Sequence, residues 1–372
     1  MLTKGLSPFS CGGYTLTMRW ILGSGAKDLL LILGPGLLAV PFFRLLPPSF
    51  LLTVLAFLTF VVIDTGHVYT TVWRTYFRDE GRTSSRIYWV ATLAIVLLMT
   101  PWFALGLPYA WSFVVYATMY HHFRQYYGML RWYERLNGRA CRVSEGLLYF
   151  LTIFPFVLMH FRPEPALQTM AMYAEHDVFL MQNPTVWRAG LWLLAAAWCG
   201  WLGFETSLWI DGKREPNRLL AVLCPSALAC VCFLTGVDVV TLILPMLVNH
   251  GVPYFAVMTL SLNRIQPRRY SSLVWTAALI VGSATLFGLM EYGYENLVID
   301  IDNRYTFRPI GFWQSALLGV YLVPLFCHYV LDAYIWTGKH REAKLVYGRT
   351  AAAPGVFAGA GRKGAASVSG RR

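Results

Sequence analysis

The chain has 372 residues, of which 56% are hydrophobic and 16% aromatic but only 13% charged, and its mean hydropathy is +0.49. A soluble core of this size cannot hide so much apolar surface, so composition excludes an ordinary soluble domain and points to a polytopic membrane protein. The net charge of +12 is not a nucleic-acid signature, because the basic residues fall in short connections between apolar runs, where they report topology.

Residues 1–27 carry Lys4, Arg19 and Lys27 with no acid. No small-residue cleavage site follows a short apolar core, so this stretch reads as a cytosolic leader. Ten runs of about 17–25 mostly apolar residues follow, predicting an all-α bundle of about ten membrane helices over 28–336. Their expected spans are 28–46, 48–73, 88–106, 108–132, 144–161, 186–209, 218–236, 238–263, 272–290 and 313–336. The first is interrupted by Gly34, Pro35, Gly36 and Pro41, which break helices. Segments 162–185 and 291–312 are long enough to fold over the mouth of the bundle. The tail, 337–372, ends in a Gly/Ala/Ser-rich basic run with the composition of a disordered segment attracted to anionic lipid.

Charge supports this segmentation. The leader, the connections 74–87, 131–145, 210–218 and 264–270 and the tail hold 25 of the 31 Lys and Arg residues. Basic residues stay cytoplasmic in short loops, so both termini are expected in the cytosol of a multi-pass protein of a plasma membrane, such as a bacterial inner membrane. The seven cysteines form no C-x-x-C pair, and Cys224, Cys230 and Cys232 read as small buried hydrophobes. No tandem repeat emerges.

Within this apolar background the stretch Thr118–Gly128, TMYHHFRQYYG, stands out. Imidazoles, a guanidinium and a carboxamide at membrane depth each cost a few kcal/mol unless the protein receives them. His67, His121, His122, His250 and His328 all fall on even-numbered spans, 7 to 14 residues before the basic flanks at Arg74, Arg131, Arg264 and Lys339. At about 1.5 Å per residue, that places them in one slab on the cytosolic side. Asp64 precedes His67 by three residues and Asp332 follows His328 by four, so each pair would share a helix face.

Five imidazoles and two carboxylates without a thiolate suit iron, one ion or two, with manganese or zinc as alternatives. The expected ligands are His67, His121, His122, His250, His328, Asp64 and Asp332. Gln125, Asn249, Tyr69, Tyr120 and Tyr329 are placed to support them, and Glu205 is a further candidate ligand. Arg74 and Arg124 are candidates to anchor an acidic head group or to snorkel toward phosphate. The two Asp/His pairs could instead be self-contained hydrogen-bonded couples.

This arrangement resembles the histidine-rich polytopic membrane oxygenases, namely the fatty-acid desaturase and hydroxylase class and the membrane carotenoid-cleaving enzymes. The resemblance covers these scattered positions and no continuous stretch, and the H-x-x-x-H and H-x-x-H-H boxes of desaturases are absent. It implies a non-haem iron oxidoreductase acting on a lipid-like substrate from the bilayer. No nucleotide-binding fingerprint is present, so a separate electron donor would supply the reductant. Three other readings stand beside it: a transporter or proton-coupled channel using intramembrane His and Asp, a b-type haem protein, and an O-acyltransferase, whose histidine segment Asn249–Tyr254 faintly resembles.

Overall fold

The computed structural model describes residues 18–77, 82–164, 177–294 and 311–336, with the single positions 296 and 346. The described residues form helices and connections, with no strand among them. In chain order the helices are α1 (Gly25–Leu33), α2 (Pro35–Leu45) and α3 (Phe50–Trp73), then α4 (Arg82–Ala104), α5 (Ala110–Asn137) and α6 (Arg142–Met159). There follow α7 (Pro184–Ile210), α8 (Pro216–Thr235), α9 (Val239–Ile265), α10 (Leu273–Tyr294) and α11 (Phe312–Ile335). Most of the leader and nearly all of the tail lie outside the described residues, as do the middle parts of both proposed lid segments.

Local chemistry sets the boundaries. The Asp238 carboxylate accepts from the Thr241 amide and Thr241 answers to the Asp238 amide, a capping box that starts α9. Asn183 caps α7 ahead of Pro184 at its first position, and Ser49 caps α3. Gly138, at φ 69°, closes α5 in the left-handed conformation that other residues resist. Between α1 and α2 the axis bends by 54°, as Gly34 and Pro35 predict.

Eight of these helices are long and apolar enough to cross a membrane, or nine if the bent α1/α2 pair is one span. The architecture is thus consistent with a multi-pass membrane protein, but the expected ten spans are not all matched. The difference is α5, which occupies the fourth expected position yet is absent from that set, because its histidines, arginines, Gln125 and tyrosines dilute its apolar content.

α9 is the central post. Half or more of the apolar window is buried in α8, α9 and α11, and α9 leads at 61%, against 17% for the peripheral α7. It packs on α2, α3, α8 and α10, while α11 packs on α3 and α4 and α5 packs on α6 and α8. Glycines permit the closest approaches. A Cβ on Gly36 would lie 2.5 Å from Asn249 of α9, and one on Gly66 would lie 2.5 Å from the Ala284 carbonyl of α10. Small residues let membrane helices pack backbone to backbone in this way.

Candidate metal centre

The structure brings the five histidines together. His67 on α3 sits with its ring centroid 4.5 Å from that of His250 on α9 and 4.9 Å from that of His328 on α11. On α5, His121 lies 5.0 Å from His250 and 4.8 Å from His328, and His122 lies 4.0 Å from His250. His67, His122, His250 and His328 are buried and His121 is half-buried. Among the described residues, two groups could hold an ion with their donor atoms within 4.8 Å of one another: His67, His250 and His328, and His121, His328 and Asp332.

Asp64 belongs to neither group. Leu58–Thr65 is π-helical and Gly66–Thr70 is α-helical, so the three-residue step from Asp64 to His67 crosses a change of helix type. In place of Asp64 the backbone orients the His67 ring. The Nδ1 of His67 lies 3.0 Å from the carbonyl oxygen of Ile63, and since a carbonyl only accepts, Nδ1 carries the proton. Nε2 is left as a lone pair.

At His328 a longer connection does the same work. Its Nδ1 is 2.8 Å from Thr71 Oγ1, Thr71 Oγ1 is 2.8 Å from the Tyr254 hydroxyl, and Tyr254 donates to Asp332 Oδ1 at 2.7 Å. Asp332 itself is 3.8 Å from His328 Nδ1. Beneath this row the Arg74 guanidinium stacks over Trp336 at 4.2 Å. Arg74 is 3% exposed. Its charge acts on Asp332 from below.

Sequence reasoning missed Thr71 and Tyr254. The signal that could have found them is regular: Thr71, Gln125, Tyr254 and Asp332 each follow a clustered histidine by four residues. One helical turn beneath the imidazoles there is therefore a polar layer.

The remaining candidates divide. Gln125 donates through Nε2 to the His250 carbonyl at 3.0 Å, tying α5 to α9. Tyr329 stacks on His121 at 4.3 Å, with its hydroxyl 2.7 Å from Thr118 Oγ1. Asn249 accepts from the Gly36 amide at 3.1 Å and so steadies the α1/α2 break. Tyr69 stacks on Phe287, Tyr120 is exposed, and the exposed Arg124 bonds Tyr149 and lies over Tyr127. Glu205 is taken up by Arg218 in a buried ion pair at 2.9 Å. His160 is fully engaged, with Tyr116 and the Phe156 carbonyl. His176 and His340 lie outside the described residues.

Three imidazole nitrogens in the cluster, His67 Nε2, His122 Nδ1 and His250 Nδ1, are buried with no hydrogen-bond partner among the described residues. Each such atom costs about 1–3 kcal/mol unless something receives it. The Nε2 atoms of His121 and His328 are 3.1 Å apart. Two nitrogens bound to one ion at about 2.1 Å and at right angles would stand about 3.0 Å apart, so the residues present fit a metal. No protein-family model matches this chain, and neither does any curated protein or any solved structure.

Proposed function

We propose that the chain is an integral-membrane, metal-dependent oxidoreductase acting on a lipid-like substrate that enters from the bilayer. The single observation that carries this reading is the set of buried, unpartnered imidazole nitrogens in the cluster. A nitrogen-rich set without thiolate suits non-haem iron, with manganese or zinc as alternatives. When bound, iron would supply oxygen chemistry directed at a C–H or C=C bond. The protein's own part is to hold and orient the imidazoles and to keep water away from them, which strengthens every charge interaction within.

A plasma membrane, with both termini cytosolic, fits the distribution of basic residues. The reductant would come from a separate electron donor, since the sequence holds no nucleotide fingerprint. Five clustered imidazoles crowd the space that a porphyrin would need between two of them, which weighs against haem. An acyltransferase reading would use His250 alone and leave four histidines without a role.

The 54° break between α1 and α2, joined to α9 through Gly36 and Asn249, favours a second reading as a transporter, because broken helices line substrate sites in that class. Purification in detergent followed by elemental analysis and a visible spectrum separates the two. Stoichiometric iron without a Soret band is the expected result. Absence of any bound metal after growth in metal-replete medium, together with ion flux in proteoliposomes, would replace the oxidoreductase with the transporter.

A further inference from the structure

We infer that the centre holds one ion through imidazole nitrogens alone, and that Asp332 is a positioning residue acting on His328 through Tyr254 and Thr71. The inference rests on the metal reading above and adds to it the number of ions, the identity of the donors and a role for three residues.

Protons can be counted along the four groups. Tyr254 has one hydroxyl proton and gives it to Asp332. The Tyr254 oxygen can then only accept from Thr71, 2.8 Å away. Thr71 likewise has one proton, and that contact uses it. Its Oγ1 must therefore accept from His328, so Nδ1 of that ring is protonated. With Asp332 as the ionised carboxylate that accepts from Tyr254, the chain of bonds has one self-consistent direction, from His328 to Thr71 to Tyr254 to Asp332.

Two consequences follow for the metal. His328 offers a single donor, Nε2, and that atom faces His121 Nε2 at 3.1 Å. The two groups that share His328 therefore cannot both be filled, because one lone pair serves one ion. Asp332 lies 3.8 Å from Nδ1, its Oδ1 is taken by Tyr254, and it enters only the group formed with His121 and His328. The carboxylate thus sets the tautomer of His328, as the Ile63 carbonyl does for His67. The donors are then His67 Nε2, His121 Nε2, His328 Nε2 and a nitrogen of His250, and His122, which belongs to neither group, is left beside His250.

Cobalt(II), titrated into metal-free full-length protein in detergent and followed by its visible bands and by elemental analysis, tests this. Wild-type protein should take up one equivalent. Thr71→Val and Tyr254→Phe should weaken binding about 10- to 100-fold and shift the bands, while Thr71→Ser, which restores the hydroxyl, should return both toward wild type. Asp332→Asn keeps an oxygen able to accept from Tyr254, so it should retain the ion far better than His328→Ala. Two equivalents in the wild type would overturn the inference. So would loss of cobalt from Asp332→Asn as complete as from His328→Ala, or wild-type affinity and bands in both Thr71→Val and Tyr254→Phe. Failure of the wild type to bind cobalt, with no iron as purified, would instead remove the metal reading and this inference with it. Thermal midpoints of the variants without metal distinguish loss of donors from loss of fold.

Discussion

A Cβ placed on Gly251 would stand 2.5 Å from the carbonyl oxygen of Ile63, the same oxygen that accepts the His67 Nδ1 proton. The residue after one candidate ligand therefore leaves room for the group that orients another. Gly251→Ala should force α3 and α9 apart, lowering stability by about 1–3 kcal/mol and metal content with it. Gly282→Ala, where an added Cβ meets nothing within 4 Å, should leave both unchanged. Thermal unfolding in detergent, paired with elemental analysis, checks the contrast.

Metal content should follow the cluster and ignore His160. Alanine at His67, His121, His250 or His328 should each lower bound metal, whereas His160→Ala should not, because that ring is satisfied by Tyr116 and Phe156. Stripping the ion with a chelator should lower the thermal midpoint. A ligand present at 100 times its Kd stabilises by about 2.7 kcal/mol. Imidazole binds metal only when neutral, so acidification should release the ion as well.

Glu205 and Arg218 form an ion pair in which both side chains are 4% exposed. Arg218→Met should leave a buried carboxylate without its partner and cost about 3–5 kcal/mol. The double variant Arg218→Met with Glu205→Met should recover most of that loss. Neither should change metal stoichiometry in protein that stays folded, and a drop in metal with Glu205→Met alone would return that residue to the ligand set.

Tyr329 lies nearly parallel to His121, at 25° between the ring planes. Tyr329→Phe keeps the stacked ring and gives up the bond to Thr118, so metal affinity should hold within a few-fold. Tyr329→Leu removes the face against which His121 rests, and affinity should fall about tenfold, within the range for residues that orient ligands. Titration of both variants in parallel measures the difference.

How far the sequence could be read depended on the kind of signal. Helix positions were legible because apolar runs of membrane length and their basic flanks are strong, redundant patterns, and the convergence of His67, His121, His122, His250 and His328 followed from their common depth. The change of helix type between Asp64 and His67 was not, since a π-helical turn leaves no mark that periodicity at 3.6 residues detects. Thr71 and Tyr254 escaped for a different reason. A threonine or tyrosine in a membrane helix is ordinary, and only its contact with residues 183 and 78 positions away gives it meaning. The pairing of Glu205 was illegible for the same reason, since Arg218 lies at the edge of an expected span and only the fold sets it, buried at the start of α8, against that carboxylate.

The unusual polarity of α5 bears on how the protein is made. A helix carrying two histidines, several arginines and a glutamine gains little by entering hydrocarbon alone, and its imidazoles meet the rings of His250 on α9 and His328 on α11, which are synthesised later. Integration of α5 must therefore be a collective event, completed when downstream partners arrive. Biogenesis and the assembly of the histidine cluster would then be the same act, and a truncated chain ending before α9 should leave α5 outside the lipid.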